Sequence, residues 1–284
     1  MEHMKLLNRQ KVLLNTIEEL NNKHINSRRA IVKSLFLLKE EHEIADKISF
    51  YHFFAYKQGP FSHLCFDDLR KLRDNKLIDN EEITITEAGK TVLNEMGMEH
   101  KPTIKTMLKS FSDENKITDY VYQKYPEYTI KSELIEQKPK KAEPGFFTIG
   151  YEGKDIDQFL NVLVSNQIEL LIDIRKNPFS MNFIYIKDAL MKKLKDVSID
   201  YLHIPELGIE SEDRKNLNTK EDYERLFVRY RQGLPIREVY INRIIELGTA
   251  KRVALLCFEA DSNFCHRGEV AKLIKSRKHE VIDL

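Results

Sequence analysis

From residue 146 to the C-terminus, short β-rich apolar runs alternate with segments of helical period, and this alternation restricts the possible folds more than any other feature. The apolar runs cover 146–149, 170–174, 201–204, 253–258 and 280–284. Each has the length of a strand, and each is bounded by polar or turn-forming residues. Helical patterns lie between them at about 154–166, 185–195, 220–232, 235–248 and 265–277. The order β-α-β-α-β-α-α-β-α-β predicts an α/β domain with a mostly parallel five-stranded sheet. Parallel neighbours need long crossovers, and right-handed crossovers place helices on both faces. Ligands of such sheets bind beyond the carboxyl ends of the strands, so the residues that follow each run are the first candidates for chemistry.

Those residues are polar. Gly150-Tyr151-Glu152-Gly153 follows the first run, Asp173-Ile174-Arg175 closes the second, and His203 closes the third. After the fourth comes Cys257-Phe258-Glu259, and then Cys265-His266-Arg267-Gly268 at the start of a helical pattern. Arg175 and Arg267 are candidate ligand-binding residues, since guanidinium forks match phosphate and carboxylate groups. Tyr151, Asp173 and His203 are candidates to line the same site. Glu152 and Glu259 are candidate acid and base. Cys265 and His266 are candidate catalytic groups, because a helix N-terminus and neighbouring cations favour a reactive thiolate. The Cys-x5-Arg spacing of a cysteine phosphatase loop is absent. Two cysteines and one adjacent histidine also lack the second close pair of a strong zinc signature, so no metal and no cofactor is expected.

The stretches Thr148-Ile149-Gly150-Tyr151-Glu152-Gly153, Leu171-Ile172-Asp173-Ile174-Arg175 with Pro178 and Ser180, and Tyr201-Leu202-His203-Ile204-Pro205-Glu206-Leu207-Gly208 go together with Leu256-Cys257-Phe258-Glu259 and Cys265-His266-Arg267. In combination they resemble the domain of unknown function 488, from about residue 146 to 284. The resemblance implies an α/β domain without a settled activity.

The N-terminal part is mainly helical by pattern. Val12, Leu13, Ile17 and Leu20 share one stripe, and Ile31, Leu35 and Leu38 form a second. Gly59-Pro60 breaks the chain, Ser62 can cap the helix that restarts after it, and 83–93 reads as a short strand running into a helix. Helix, break, helix and β wing together resemble a winged helix-turn-helix. Through Tyr56-Lys57-Gln58-Gly59-Pro60 and the series Leu69, Leu72 and Leu77, the region also looks similar to small winged domains associated with antitoxins. That resemblance implies nucleic-acid contacts from Ser62, His63, Arg70, Lys71 and Arg73 on the second helix. A protein-docking role is the alternative, since Asp67 and Asp68 on the same helix would repel phosphate. The expected division is a winged-helix-like domain at 1–100, a helical connector and linker at 101–145, and the α/β domain at 146–284.

Composition sets the outer limits. The chain of 284 residues has a formal net charge of +1, so any nucleic-acid binding must be local rather than a broad basic footprint. No apolar stretch reaches the roughly 20 residues of a membrane span. The start Met1-Glu2-His3-Met4-Lys5 has no apolar signal core, so a cytoplasmic protein without a membrane partner is expected. Three cysteines fit that reading better than a disulfide framework. The leading functional expectation is an enzyme, of hydrolase type, acting on a phosphate-bearing nucleotide or nucleic acid with the winged module as target binder. Its expected partners are nucleic acid at the N-terminal domain, an anionic small molecule at the α/β domain, and a second copy in a homodimer. The alternatives are a non-catalytic, ligand-sensing DNA-binding regulator and a protein-interaction component of a toxin–antitoxin or defence system.

Overall fold

The structure, a computed structural model, describes residues 6–79, 81–96, 99–136, 140–215, 217 and 219–284. The chain divides into two compact units, Met1–Lys138 and Pro139–Leu284. Within the stretch expected as a linker, residues 137–139 lie outside the described residues.

The N-terminal unit is mainly helical. Its elements are α1 (Asn8–Asn21), α2 (Arg28–Glu41), α3 (Ile44–Lys47), β1 (Phe54–Tyr56), β2 (Gly59–Phe61), α4 (His63–Asp74), α5 (Glu87–Met96), α6 (Lys101–Lys109) and α7 (Glu114–Lys124). Helices α1 and α2 are buried on most of their faces and form the centre of the unit. Against them pack α6 and α7, so the segment expected as a connector belongs to this core. Its tyrosines have packing partners: Tyr125 and Tyr128 meet the Phe36 ring edge-on at 4.9 and 4.7 Å, and Tyr120 meets Phe111.

Two local expectations change. The segment around Gly59-Pro60 is not only a break but a two-stranded antiparallel hairpin, β1 with β2, with Gly59 at φ +92° just past its turn. The strand expected after residue 83 shrinks to a single antiparallel bridge, Ile78 to Ile85. Asp79 Oδ1 accepts the backbone N–H groups of Glu81 and Glu82, and the Thr86 hydroxyl accepts that of Gly89. These local bonds favour a tight turn and an early start to α5 over a longer ladder.

The C-terminal unit contains β3 (Gly145–Gly150), α8 (Ile156–Ser165), β4 (Leu170–Asp173), α9 (Lys187–Asp196), β5 (Asp200–His203), α10 (Lys220–Gly233), α11 (Glu238–Ala250), β6 (Arg252–Cys257), α12 (His266–Ser276) and β7 (Val281–Asp283). Its five strands lie in the order β5-β4-β6-β3-β7, and every pairing is parallel. Phe146, Ile172, Val253 and Leu255 join Ile241, Ile244, Val270 and Ile274 in one core. The alternate residues Phe147, Ile149, Leu171 and Leu256 are buried on the opposite face, so both sides of the sheet are covered. From β3 the chain crosses to β4 on one side, and from β6 it crosses to β7 on the other. Neighbours β3 and β6 therefore flank the point where the strand order reverses, with Gly150 paired to Cys257 at their carboxyl ends. A Cβ on Gly150 would stand 1.8 Å from the Glu259 carbonyl oxygen, so only glycine lets the loop after β6 approach β3 this closely.

Lys33 gives the N-terminal unit a pH dependence. Its side chain is buried, and Nζ donates to the Gln58 carbonyl at 2.5 Å. Burial, helped by the charge of Arg29 and opposed by Glu114, lowers its pKa from 10.5 to about 7. Between pH 7 and 10.5 the unfolded chain holds a proton that the folded chain lacks, so stability rises with pH across that window. Denaturant unfolding of the N-terminal unit at several pH values should show this rise, and Lys33→Met should flatten it. Identical slopes for the two proteins would mean that Lys33 stays charged in the fold.

Candidate active site at the carboxyl edge of the sheet

The strand ends hold two connected polar clusters. The first surrounds Asp173, the last residue of β4, which is fully buried. Its carboxylate accepts the Arg175 backbone N–H at 3.0 Å, Arg175 Nε at 2.9 and 3.1 Å, Arg175 Nη2 at 2.6 Å and the Tyr201 hydroxyl at 2.7 Å. Arg175 Nη1 donates to the Tyr151 hydroxyl, and both Nη1 and Nη2 donate to the Tyr185 carbonyl, each at 3.1 Å. The Tyr151 ring stacks on Tyr185 at 4.3 Å. His203 Nε2 bonds the Arg175 carbonyl at 2.9 Å. Burial and the adjacent Asp173 charge hold the Tyr201 hydroxyl well above its usual range, so it remains a neutral donor.

The second cluster joins the end of β6 to the start of α12. Cys257, Cys265 and His266 are all buried, and Cys257 Sγ, Cys265 Sγ and His266 Nδ1 lie within 4.8 Å of one another. His266 Nδ1 is 3.6 Å from Cys257 Sγ and 4.0 Å from Cys265 Sγ. Its Nε2 faces the Ile174 carbonyl at 3.0 Å, and because a carbonyl only accepts, that nitrogen carries the proton. The Cys257 thiol donates to Glu259 Oε2 at 3.4 Å. Ile174 links the clusters, since its carbonyl meets His266 and the next residue is Arg175.

Three expectations are corrected here. Arg175 is buried, with its donors directed to Asp173, Tyr151 and Tyr185, so it braces strand ends rather than offering a fork to an anion. Arg267 is also fully buried. It donates to the Glu259 carbonyl and, at 2.8 Å, to that of Ala260, with Asp283 3.6 Å away. It therefore pins the loop after β6. Cys265, expected as an activated thiolate, has its thiol pushed well above the ordinary range, first by burial and then by Cys257. At neutral pH it is a protonated thiol, because desolvation outweighs the pull of His266 and the helix start.

Glu152 is exposed at the rim. It accepts the Ala260 N–H at 2.8 Å, while its own N–H donates to the Phe258 carbonyl. Beside it opens a cleft of about 700 Å³ walled by Tyr151, Phe179, Met181 and Phe258, with Lys154, Ser180 and Asn182 as polar members. Phe179 and Met181 are largely exposed. They and Lys154 escaped the reading of strand ends because they sit on the loop after β4 and the turn before α8; the apolar pair flanking Ser180 was the available signal.

Residues 155–274 match the family model of a domain of unknown function, DUF488. No curated protein and no solved structure matches the chain. The DUF488 match takes in Asp173, Arg175, His203, Glu259 and the cysteine–histidine cluster. Tyr151 and Glu152 precede it by a few residues.

Removing one member of the Asp173–Arg175 pair leaves the other charge buried without its partner. Asp173→Ala should lower the stability of the C-terminal unit by about 3–5 kcal/mol in denaturant unfolding. An unchanged transition midpoint would mean that Arg175 is not structurally committed and is available to a ligand.

Proposed function

We propose that the C-terminal unit is an enzyme acting on a phosphate-bearing nucleotide or nucleic acid, and that the N-terminal unit, in a winged helix-turn-helix arrangement, binds the target. The observation that carries this reading is the aromatic-walled cleft beyond the carboxyl ends of β3 and β4, lined also by Glu152 and Lys154, with Glu259 following the lining residue Phe258 in the chain. The exposed rings of Phe179 and Phe258 suit a nucleobase, which stacks on aromatic rings whatever its identity, while Tyr151 is already stacked on Tyr185 and forms the wall behind them. Lys154, the one cation lining the cleft among the described residues, suits the phosphate. Glu259 follows Phe258 directly and is only partly buried, so it is placed to move a proton on a ligand held by that ring. Glu152 is bonded to the same stretch of backbone through the Ala260 N–H.

In the N-terminal unit, α4 is the candidate recognition helix. Arg70 and Lys71 are exposed on it, paired with Asp67 and Asp68 at 3.0 and 3.6 Å, and Arg73 is half-buried. Ser62 is buried as the cap of α4, and His63 is half-buried with its ring stacked on Phe54 at 5.3 Å. The set of nucleic-acid-binding candidates therefore contracts to Arg70, Lys71 and Arg73.

Nucleotides and short oligonucleotides incubated with the full chain should be converted to products resolved by chromatography. Glu259→Gln should abolish turnover while leaving binding intact. Phe258→Ala should weaken binding about 5- to 150-fold, the equivalent of about 1–3 kcal/mol for one stacked base. Replacing Arg70 and Lys71 by alanine should make nucleic-acid binding less sensitive to salt, the slope falling by about one for each phosphate that is no longer neutralised. Binding without turnover would favour the ligand-sensing regulator, and no binding of any nucleotide would refute the proposal.

A further inference from the structure

The cysteine–histidine cluster brings two sulfurs and one imidazole nitrogen to a single buried point. We propose that Cys257 Sγ, Cys265 Sγ and His266 Nδ1 form a binding site for one soft divalent cation of the zinc class. This inference goes beyond the proposed function and stands whether or not the unit acts on nucleotides.

Distances support it first. A tetrahedral ion with metal–sulfur bonds of about 2.3 Å and metal–nitrogen bonds of about 2.0–2.1 Å sets sulfur–nitrogen edges of about 3.6 Å and sulfur–sulfur edges of about 3.8 Å. The two sulfur–nitrogen separations are 3.6 and 4.0 Å, and all three atoms lie within 4.8 Å of one another. The two sulfur–nitrogen edges are thus close to those that an ion would set.

The histidine tautomer is the second support. The Ile174 carbonyl accepts from Nε2, so Nδ1 is the nitrogen directed at the sulfurs and free to ligate. A backbone carbonyl holding the far nitrogen is the usual outer partner of a metal-bound histidine, fixing both tautomer and ring orientation.

Rigidity is the third. Cys257 ends a central strand, and Cys265 and His266 open an eleven-residue helix, α12. Adjacent residues inside a helix diverge. Cys265 instead has extended backbone, φ −134° and ψ 141°, immediately before the helical His266, so both side chains reach one point. The connecting loop is clamped by Arg267 and Glu152. Two thiolates and an imidazole favour zinc over calcium or magnesium, which take oxygen ligands. Three protein ligands leave a fourth position, and Glu259, 3.4 Å from Cys257 Sγ, is the carboxylate next to it.

The test is metal binding by the full chain, reduced and stripped with chelator, then titrated with zinc or cobalt ions. One equivalent per chain should survive desalting, and the cobalt form should show a thiolate-to-cobalt charge-transfer band with tetrahedral d–d absorption. Cys257→Ser with Cys265→Ser should weaken binding by more than about 100-fold. Cys65→Ser, in the core of the N-terminal unit, should leave it unchanged. If the double variant fails to fold, the cobalt spectrum of the unaltered chain decides alone. Octahedral cobalt without the charge-transfer band, far less than one equivalent bound, or equal affinity in a folded double variant would overturn the proposal.

Discussion

The carboxyl edge of the sheet depends on one buried ion pair, Asp173 with Arg175. A carboxylate at the end of a central strand is expensive to bury alone, and Arg175 offsets that cost through several hydrogen bonds of 2.6–3.1 Å. The same guanidinium reaches Tyr151 beyond β3 and the Tyr185 backbone beyond β4, and Asp173 reaches Tyr201 on β5. Three strand ends are thereby held in a common register of side chains. Because Ile174 lies between the two charges, its carbonyl is fixed too, and that carbonyl sets the orientation of His266. The geometry of the cysteine–histidine cluster is thus inherited from an ion pair that is not part of it.

A related device organises the N-terminal unit. Asp68 on α4 is fully buried and accepts Arg9 Nε at 2.7 Å, Gln10 at 2.8 Å and the Tyr51 hydroxyl at 3.2 Å. The carboxylate fixes α4 against the start of α1, while its neighbour Asp67 stays on the surface with Arg70. Two adjacent aspartates on one helix therefore differ in role. Of the two charges expected to oppose phosphate, only that of Asp67 lies on the surface, whereas the charge of Asp68 is largely consumed inside the unit.

The strands of the α/β unit were legible within a residue or two, because parallel strands covered on both faces are written as continuous apolar runs. The hairpin at Phe54–Tyr56 and Gly59–Phe61 was not, since three-residue strands around a Gly-Pro pair carry no usable period. The opposite error came at Ile83-Thr84-Ile85-Thr86, where β-branched residues suggest a strand but the Asp79 turn and the Thr86 cap prevail. At the site, the polar strand ends were legible as a group and their roles were not. A pattern of residue types shows that two arginines are present; it does not show that carbonyls and a carboxylate already occupy them. Likewise the place of Cys265 before a helix suggested a lowered pKa, and only its 2 % exposure shows that desolvation decides the sign.

These reassignments alter what the edge can offer a ligand. With Arg175 and Arg267 buried and bonded within the protein, the proposed reading leaves ligand recognition to the exposed aromatic rings of the cleft and to Lys154. Such a surface discriminates weakly by charge and well by planarity and shape. The cysteine–histidine cluster offers no exposed nucleophile either, since its thiols are buried and that of Cys265 is held protonated. A neutral thiol is a poor nucleophile, whereas a bound cation would offset the cost of the thiolate's burial with its own charge. The burial that argues against Cys265 as an attacking group therefore leaves open its role as a ligand, which rests on the geometry of the cluster.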